Sequence, residues 1–339
     1  MGNIKSSNST YDQQLTEQLK SYGDWCFDVE ALSCKEDERL VITGMEVFKL
    51  LKLDDFLKCS KEVFEAWLRS ITVLYQKYSN PYHNATHAAN VLHDVVYFME
   101  KYAFKSFSDL DRAAAVFAAV VHDVGHPGKT ESFLTETKSP ILKLFKGEPS
   151  PLERYHLSIA FDFTFAKDKN VNVLGKLSYE DRKALRHAVT WMVQATDMRF
   201  HIMYVNRFDK AFKQSKVTKL ILLETVLKIC DLPSQAKEKK FALRDCRTIF
   251  EEHFAQTKEE KRLGLKVSQK DFDEENCDVP TTQINFLSSI VDMFKAWHKY
   301  YPIQDLANHF RKNKEFWLKV KKDGKKSLAD LKELFENSD

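Results

Sequence analysis

Apolar side chains recur every three to four positions along most of the chain, the spacing of helices that bury one face. Leu40, Val41, Met45, Phe48, Leu51 and Leu53 form one such face. Val63, Phe64, Trp67, Leu68, Ile71, Leu74 and Tyr75 form a second, over Lys61 to Tyr78. Asn80-Pro81 ends that helix, because proline disfavours helical backbone in the residue before it. The same spacing predicts helices through Val91 to Met99, Leu152 to Phe163, Tyr179 to Phe200, Leu220 to Ile229, Lys237 to Glu260 and Thr281 to Tyr300. Ser108-Asp109 caps another, which carries the apolar run from Ala113 to Val121. Between them, Pro140, Gly147, Pro149 and Pro151 mark loop and short helix, and the charged stretch from Arg262 to Pro280 reads as irregular.

Composition agrees with an all-α protein. The 339 residues include only 9 Gly and 8 Pro, where average usage would give roughly 24 glycines, and 43% are apolar. No Gly-, Ser- or Pro-rich linker divides the chain, so one compact multi-helix domain is expected over residues 21–320. A flexible N-terminus (1–20) and a Lys-rich C-terminal tail (321–339) flank it. Fifty-two basic against 49 acidic residues leave a net charge of +3, without the concentrated basic surface that nucleic-acid binding needs. Basic residues gather at Arg311 to Lys326, where a solvated helix face accounts for them. Six scattered cysteines without a CxxC spacing read as reduced thiols of a cytoplasmic protein. No apolar run approaches the roughly 18 residues of a membrane span.

Three helix ends carry candidate chemistry. The apolar run into Val121 delivers His122 and Asp123 side by side, followed by the breakers Gly125 and Pro127-Gly128. Burying an imidazole and a carboxylate is costly without compensation, and both are good ligands for a divalent cation. Neighbouring residues in a helix point about 100° apart, so both reach one ion only near a helix end. His83 and His87 lie four apart in HNATH, hence on one helical face. Asp231 closes a further apolar helix before Pro233. A hydrogen-bonded His-Asp pair beside a turn, or an isolated core histidine, would account for any one of these sites taken singly.

The ordered set HNATHAANV, HDVGHPG, TDM and CDL, followed by QINF, resembles the catalytic domain of class I cyclic nucleotide phosphodiesterases between about Tyr75 and Tyr300. The resemblance implies hydrolysis of cAMP or cGMP to the 5′-monophosphate, with His87, His122, Asp123 and Asp231 holding a Zn²⁺. Asp123 would bridge to a second, mainly water-coordinated ion, Mg²⁺ or Mn²⁺, and the hydroxide between the two ions would attack phosphorus. It further implies His83 as the acid that protonates the leaving oxygen, and His126, Glu153 and Thr196 as groups orienting metal-bound water. The nucleotide would be met by Tyr82, Asp197, Met198, Ser234, Ile249, Gln283 and Phe286. A phenylalanine can stack on a purine and a glutamine amide can bond a base edge.

The likeness has departures. The stretch usually reading His-Cys-Ala-Asp is Lys228-Ile229-Cys230-Asp231, and Ser-Asn-Pro is replaced by Pro233-Ser234-Gln235. An aromatic that often braces the pocket glutamine falls at Ala242, and a tryptophan at Asp245. A less restrained Gln283 amide, able to serve adenine or guanine, is the expectation. Another metal phosphohydrolase of the same superfamily and a decayed, non-catalytic nucleotide binder are the competing readings. The complete ligand set argues against the second. Gly2 with Ser6 fits an N-myristoylation pattern, which with one acyl chain gives weak, reversible membrane association at most. The expected oligomeric state is monomer or homodimer.

Overall fold

The computed structural model describes residues 13–102, 106–165, 168 and 170–336, and is helical, without strands among those residues. We number its helices of twelve or more residues. They are α1 (Arg39–Leu50), α2 (Lys61–Tyr75), α3 (Ala85–Lys101), α4 (Asp109–Val121), α5 (Pro151–Thr164) and α6 (Tyr179–Gln194). They continue with α7 (His201–Lys213), α8 (Lys219–Cys230), α9 (Lys239–Arg262), α10 (Val279–Tyr300) and α11 (Gln304–Lys322).

The centre is α4. Every residue from Ala113 to Val121 is buried, and five are alanine, so α3 and α6 pack closely on it. A helix apolar all round belongs in a core. Its start is fixed by the expected cap: Ser108 accepts from the Asp111 backbone N–H, while the Asp111 carboxylate accepts from the Ser108 N–H at 2.8 Å. The second core helix is α8, buried from Ile221 to Cys230, including Glu224 and Lys228. Both helices end where the candidate ligand residues stand, His122 and Asp231 being the respective C-caps.

The helix expected from Tyr179 to Phe200 stops earlier, at Gln194, and a separate 3₁₀ turn spans Met198–Phe200. Between them the backbone leaves the helix, which turns Thr196 and Asp197 inward. Residues 13–19 are helical and Leu15 and Leu19 rest on the core, so the segment assigned to a flexible terminus contributes packing from residue 13 on. Gly2 and Ser6 lie outside the described residues. At the other end Leu331 and Phe335 are buried in the same core, and Lys326 O accepts from the Val279 N–H at 2.8 Å. The Lys-rich tail therefore folds back onto the body.

Candidate metal centre and nucleotide pocket

Asn84 builds the near side of the centre. As N-cap of α3 its side-chain oxygen accepts from the backbone N–H groups of Thr86 (2.9 Å) and His87 (3.1 Å). This sets His87 in the first turn, facing the C-terminal ends of α4 and α8. Those ends carry unpaired carbonyls and partial negative charge, which favour a cation.

His87, His122, Asp123 and Asp231 converge there. His87 Nε2 lies 3.1 Å from His122 Nε2, 3.1 Å from Asp231 Oδ1 and 3.6 Å from Asp123 Oδ2. His122 Nε2 is 3.2 Å from Asp123 Oδ2 and 3.3 Å from Asp231 Oδ1. Four such atoms about an ion at roughly 2.0–2.1 Å would be separated by about 3.3 Å in a tetrahedron. The donor set thus fits a divalent cation in chemistry and in spacing. The His122 tautomer suits it too, since Nδ1 donates to Ala119 O at 2.9 Å and leaves Nε2 for the ion. Burial works against charge on Asp123, and the His122 imidazole beside it outweighs burial and holds the carboxyl far below the usual range. Two carboxylates so placed require positive charge between them.

Beside this set stands a group the sequence did not reveal. His83 Nδ1 lies 2.5 Å from Oε1 of Glu252 in α9, and Glu252 Oε2 accepts from the backbone N–H of both Tyr82 and His83 at 3.1 Å. Burial disfavours the His83 imidazolium, but the Glu252 charge and hydrogen bond, with Asp123 and Asp231 behind, outweigh it and push its pKa up to about 9. Glu252 itself is held well below the carboxylate range: burial opposes this, and the charge and hydrogen bond of His83 prevail. The His83 ring stacks on His126 at 4.0 Å between centroids and stands 6.0 Å from the His87 ring. In the sequence, Glu252, Gln256 and Glu260 form a polar stripe at intervals of four, indistinguishable from a solvated face; in the fold all three are buried.

Asn80, which the sequence marks only as a helix end, stitches the two histidine motifs together. Its Nδ2 donates to His83 O (2.9 Å) and His126 O (2.7 Å). Gly128, at φ +64°, makes room for it: a Cβ there would lie 2.5 Å from Asn80 Oδ1. His126 Nδ1 accepts from the Gly128 N–H at 3.0 Å. His156 also joins the site, with Nε2 3.9 Å from Asp123 Oδ1 and Nδ1 donating to Val124 O.

The other expected residues divide. Glu153 lies within reach of Asp197 and Glu131, with a buried Oε2 that has no partner among the described residues. Burial, then the charge of Asp197, raises its pKa to about 8. An orphaned carboxylate oxygen here suits a contact with ion-bound water. Thr196 is buried and donates to Val193 O at 2.7 Å. The Asp197 carboxylate is occupied by Arg199 (Nη2 2.6 Å) and by the Ser150 hydroxyl (2.8 Å), so it bonds the corner it stands on. Met198 is 41% exposed at that corner. The Tyr82 ring packs on His87 at 4.6 Å. Ser234 is buried and bonds Asp245, while Ile249 and Phe286 are half-buried.

Gln283 departs from expectation. The sequence suggests a weakly restrained amide, yet Gln235 Nε2 donates to its Oε1 at 3.0 Å, and both are buried. Gln235 is in turn fixed through its backbone carbonyl, which accepts from Asn313 Nδ2 at 2.9 Å. The brace comes from the turn after Asp231 and from α11, not from the aromatic position at Ala242, which is why local sequence did not show it.

Comparison with known proteins agrees with this geometry. A family model described as 3′5′-cyclic nucleotide phosphodiesterase matches residues 82–312. The human high affinity cAMP-specific and IBMX-insensitive 3′,5′-cyclic phosphodiesterase 8A is 33% identical over 330 residues, covering 90% of this chain and 39% of that protein. The probable 3′,5′-cyclic phosphodiesterase pde-6 of Caenorhabditis elegans is 34% identical over 308 residues, 88% of this chain and 40% of that one. The mouse dual specificity calcium/calmodulin-dependent 3′,5′-cyclic nucleotide phosphodiesterase 1B is 32% identical over 292 residues, 85% of this chain and 54% of its own. The chain spans about two fifths of the length of the first two relatives. With the family's motifs in order and their side chains gathered at one centre, the chain belongs to the 3′,5′-cyclic nucleotide phosphodiesterase family.

Proposed function

We propose that the protein hydrolyses 3′,5′-cyclic nucleotides to 5′-monophosphates, with cAMP as its substrate. The carrying observation is the convergence of His87, His122, Asp123 and Asp231 beside the His83–Glu252 pair. The choice of cAMP rests on the likeness to the cAMP-specific relative and on a Gln283 amide held in one orientation by Gln235.

The four residues would hold a Zn²⁺, and Asp123, with Glu153, Thr196 and His126 around it, would serve a second ion, Mg²⁺ or Mn²⁺. Divalent ions bound there neutralise the phosphodiester and supply a nucleophile from water near neutral pH. The chain's own residues do the rest. Glu252 accepts the Nδ1 proton of His83, which leaves Nε2–H as the donor on the free edge of the ring. As the P–O3′ bond breaks, that proton passes to the 3′ oxygen, which departs from phosphorus as a neutral 3′-hydroxyl while the ribose keeps the phosphate through O5′. With its pKa near 9, His83 carries the proton at neutral pH, and general acid catalysis of this kind gives about 10²–10⁴-fold. Phe286 offers a face for the purine, Gln283 its amide for the base edge, and Tyr82, Met198, Ser234, Asp197 and Ile249 the surrounding wall.

We place the working protein at the cytoplasmic side, as monomer or homodimer, with weak membrane association if Gly2 is acylated. No helix among the described residues is long and apolar enough to cross a membrane. Phosphate release from cAMP and cGMP, coupled to a 5′-nucleotidase and run with and without chelator, tests the reading. Turnover of neither nucleotide by metal-loaded protein would reject it.

A further inference from the structure

Lys228 is a buried cation with no carboxylate bonded to it among the described residues. It sits on α8, three residues before Asp231, with 2% of its surface exposed. Its Nζ donates to Ala195 O at 2.8 Å, and lies 3.4 Å from both Thr196 O and Asp197 O and 3.8 Å from Met198 Sδ. An ammonium has three donors, and three carbonyls meet it here. Those carbonyls follow the C-terminus of α6, where a cation is favoured. The side chain therefore reaches from the helix that ends in a metal-centre carboxylate to every residue of the 195–198 corner.

That corner is irregular backbone, held on its far side by the Asp197–Arg199 and Asp197–Ser150 bonds. It faces Glu153, whose Oε2 is buried without a partner among the described residues. We propose that Lys228 is a positioning residue that fixes the Thr196–Asp197 corner relative to Asp231, and thereby sets the affinity of the second, water-coordinated divalent ion without affecting the first. The inference rests on the two-ion reading given above. A rival account exists on the same geometry: the lysine charge could act only by repelling the second ion. The two accounts differ in sign, since removing a repelling charge tightens binding and removing a support loosens it.

The test is a Mn²⁺ titration of the full chain followed by electron paramagnetic resonance, with tightly held metal counted by mass spectrometry and helicity followed by circular dichroism. Lys228→Met removes both charge and donors; Lys228→Arg keeps the charge, but its planar fork cannot reproduce three converging bonds. We expect the parental chain to bind two ions. Both variants should keep the tight one, with the weak-site Kd raised about tenfold or more in Lys228→Met and by less in Lys228→Arg. A parental Kd in both, a tighter weak site in Lys228→Met, or loss of the tight ion overturns the assignment. If Lys228→Met fails to fold, Lys228→Arg decides alone, and a parental Kd there overturns it. A parental chain that takes up only one ion sinks the two-ion reading and this inference together, whereas two ions with unchanged variants sink the Lys228 role alone.

Discussion

His83 and Glu252 are 169 residues apart in the chain, yet one carboxylate binds both the ring and the backbone of the other: Oε1 lies 2.5 Å from Nδ1, and Oε2 accepts from the His83 N–H. His83 itself precedes the N-cap of α3, and its proton is thus kept by a partner on the distant helix α9. His83→Ala is expected to leave tightly bound metal intact and to lower kcat about 10²–10⁴-fold. Metal analysis alongside turnover checks both halves, and parental turnover would remove His83 from its assigned step.

The same pair predicts a pH dependence. The folded pKa of His83 is raised above its ordinary 6.5 to about 9, so the proton is present at neutral pH and is lost as pH rises through about 9. The alkaline limb of kcat should fall there. Glu252→Gln removes the charge that holds the proton while burial, which opposes it, remains. The limb should then move to lower pH, and a kcat profile from pH 6 to 10 reads the shift. An unmoved limb would assign it to another group.

Asp231→Ala should lose both metal and activity. It removes one of two carboxylates from a buried set whose remaining members face one another at 3.1–3.6 Å. Chelation of the parental chain should likewise lower its melting temperature, since an ion that binds only the folded state stabilises it by mass action. Retention of stoichiometric tight metal in Asp231→Ala would contradict the ligand assignment.

Asn80→Ala takes away two hydrogen bonds that join the His83 turn to the His126 turn and leaves both carbonyls to find other partners. The cost expected is about 1–3 kcal/mol, measured by denaturant titration, with reduced turnover even where the fold persists. An unchanged midpoint and unchanged kcat would show that the stitch is dispensable.

Gln235→Ala frees the Gln283 carbonyl. The ratio of kcat/KM for cAMP to that for cGMP should fall toward unity, with less change in stability than in the ratio. A preserved ratio would mean that the amide is oriented by something other than Gln235.

How much of this was legible in the chain depends on the range of the interaction. The candidate ligand residues were readable because each closes or opens a helix marked by its apolar run: His122 and Asp123 after Ala113–Val121, Asp231 after Leu220–Ile229, His87 in the turn capped by Asn84. Hydrophobic periodicity fixes such ends locally, and ordered motifs tie them to a family. Glu252, Asn80, Gln235 and Lys228 carried no such mark. A buried glutamate and a solvated one have the same spacing on a helix, and a lysine in an apolar run looks like a flaw until three carbonyls from the corner after α6 surround it. What residue order settled by itself was the helical architecture and which four side chains are the candidate ion-binding groups. Tertiary packing alone decided which polar side chains lie inside, because their burial is compensated only by partners brought from 30 to 170 positions away.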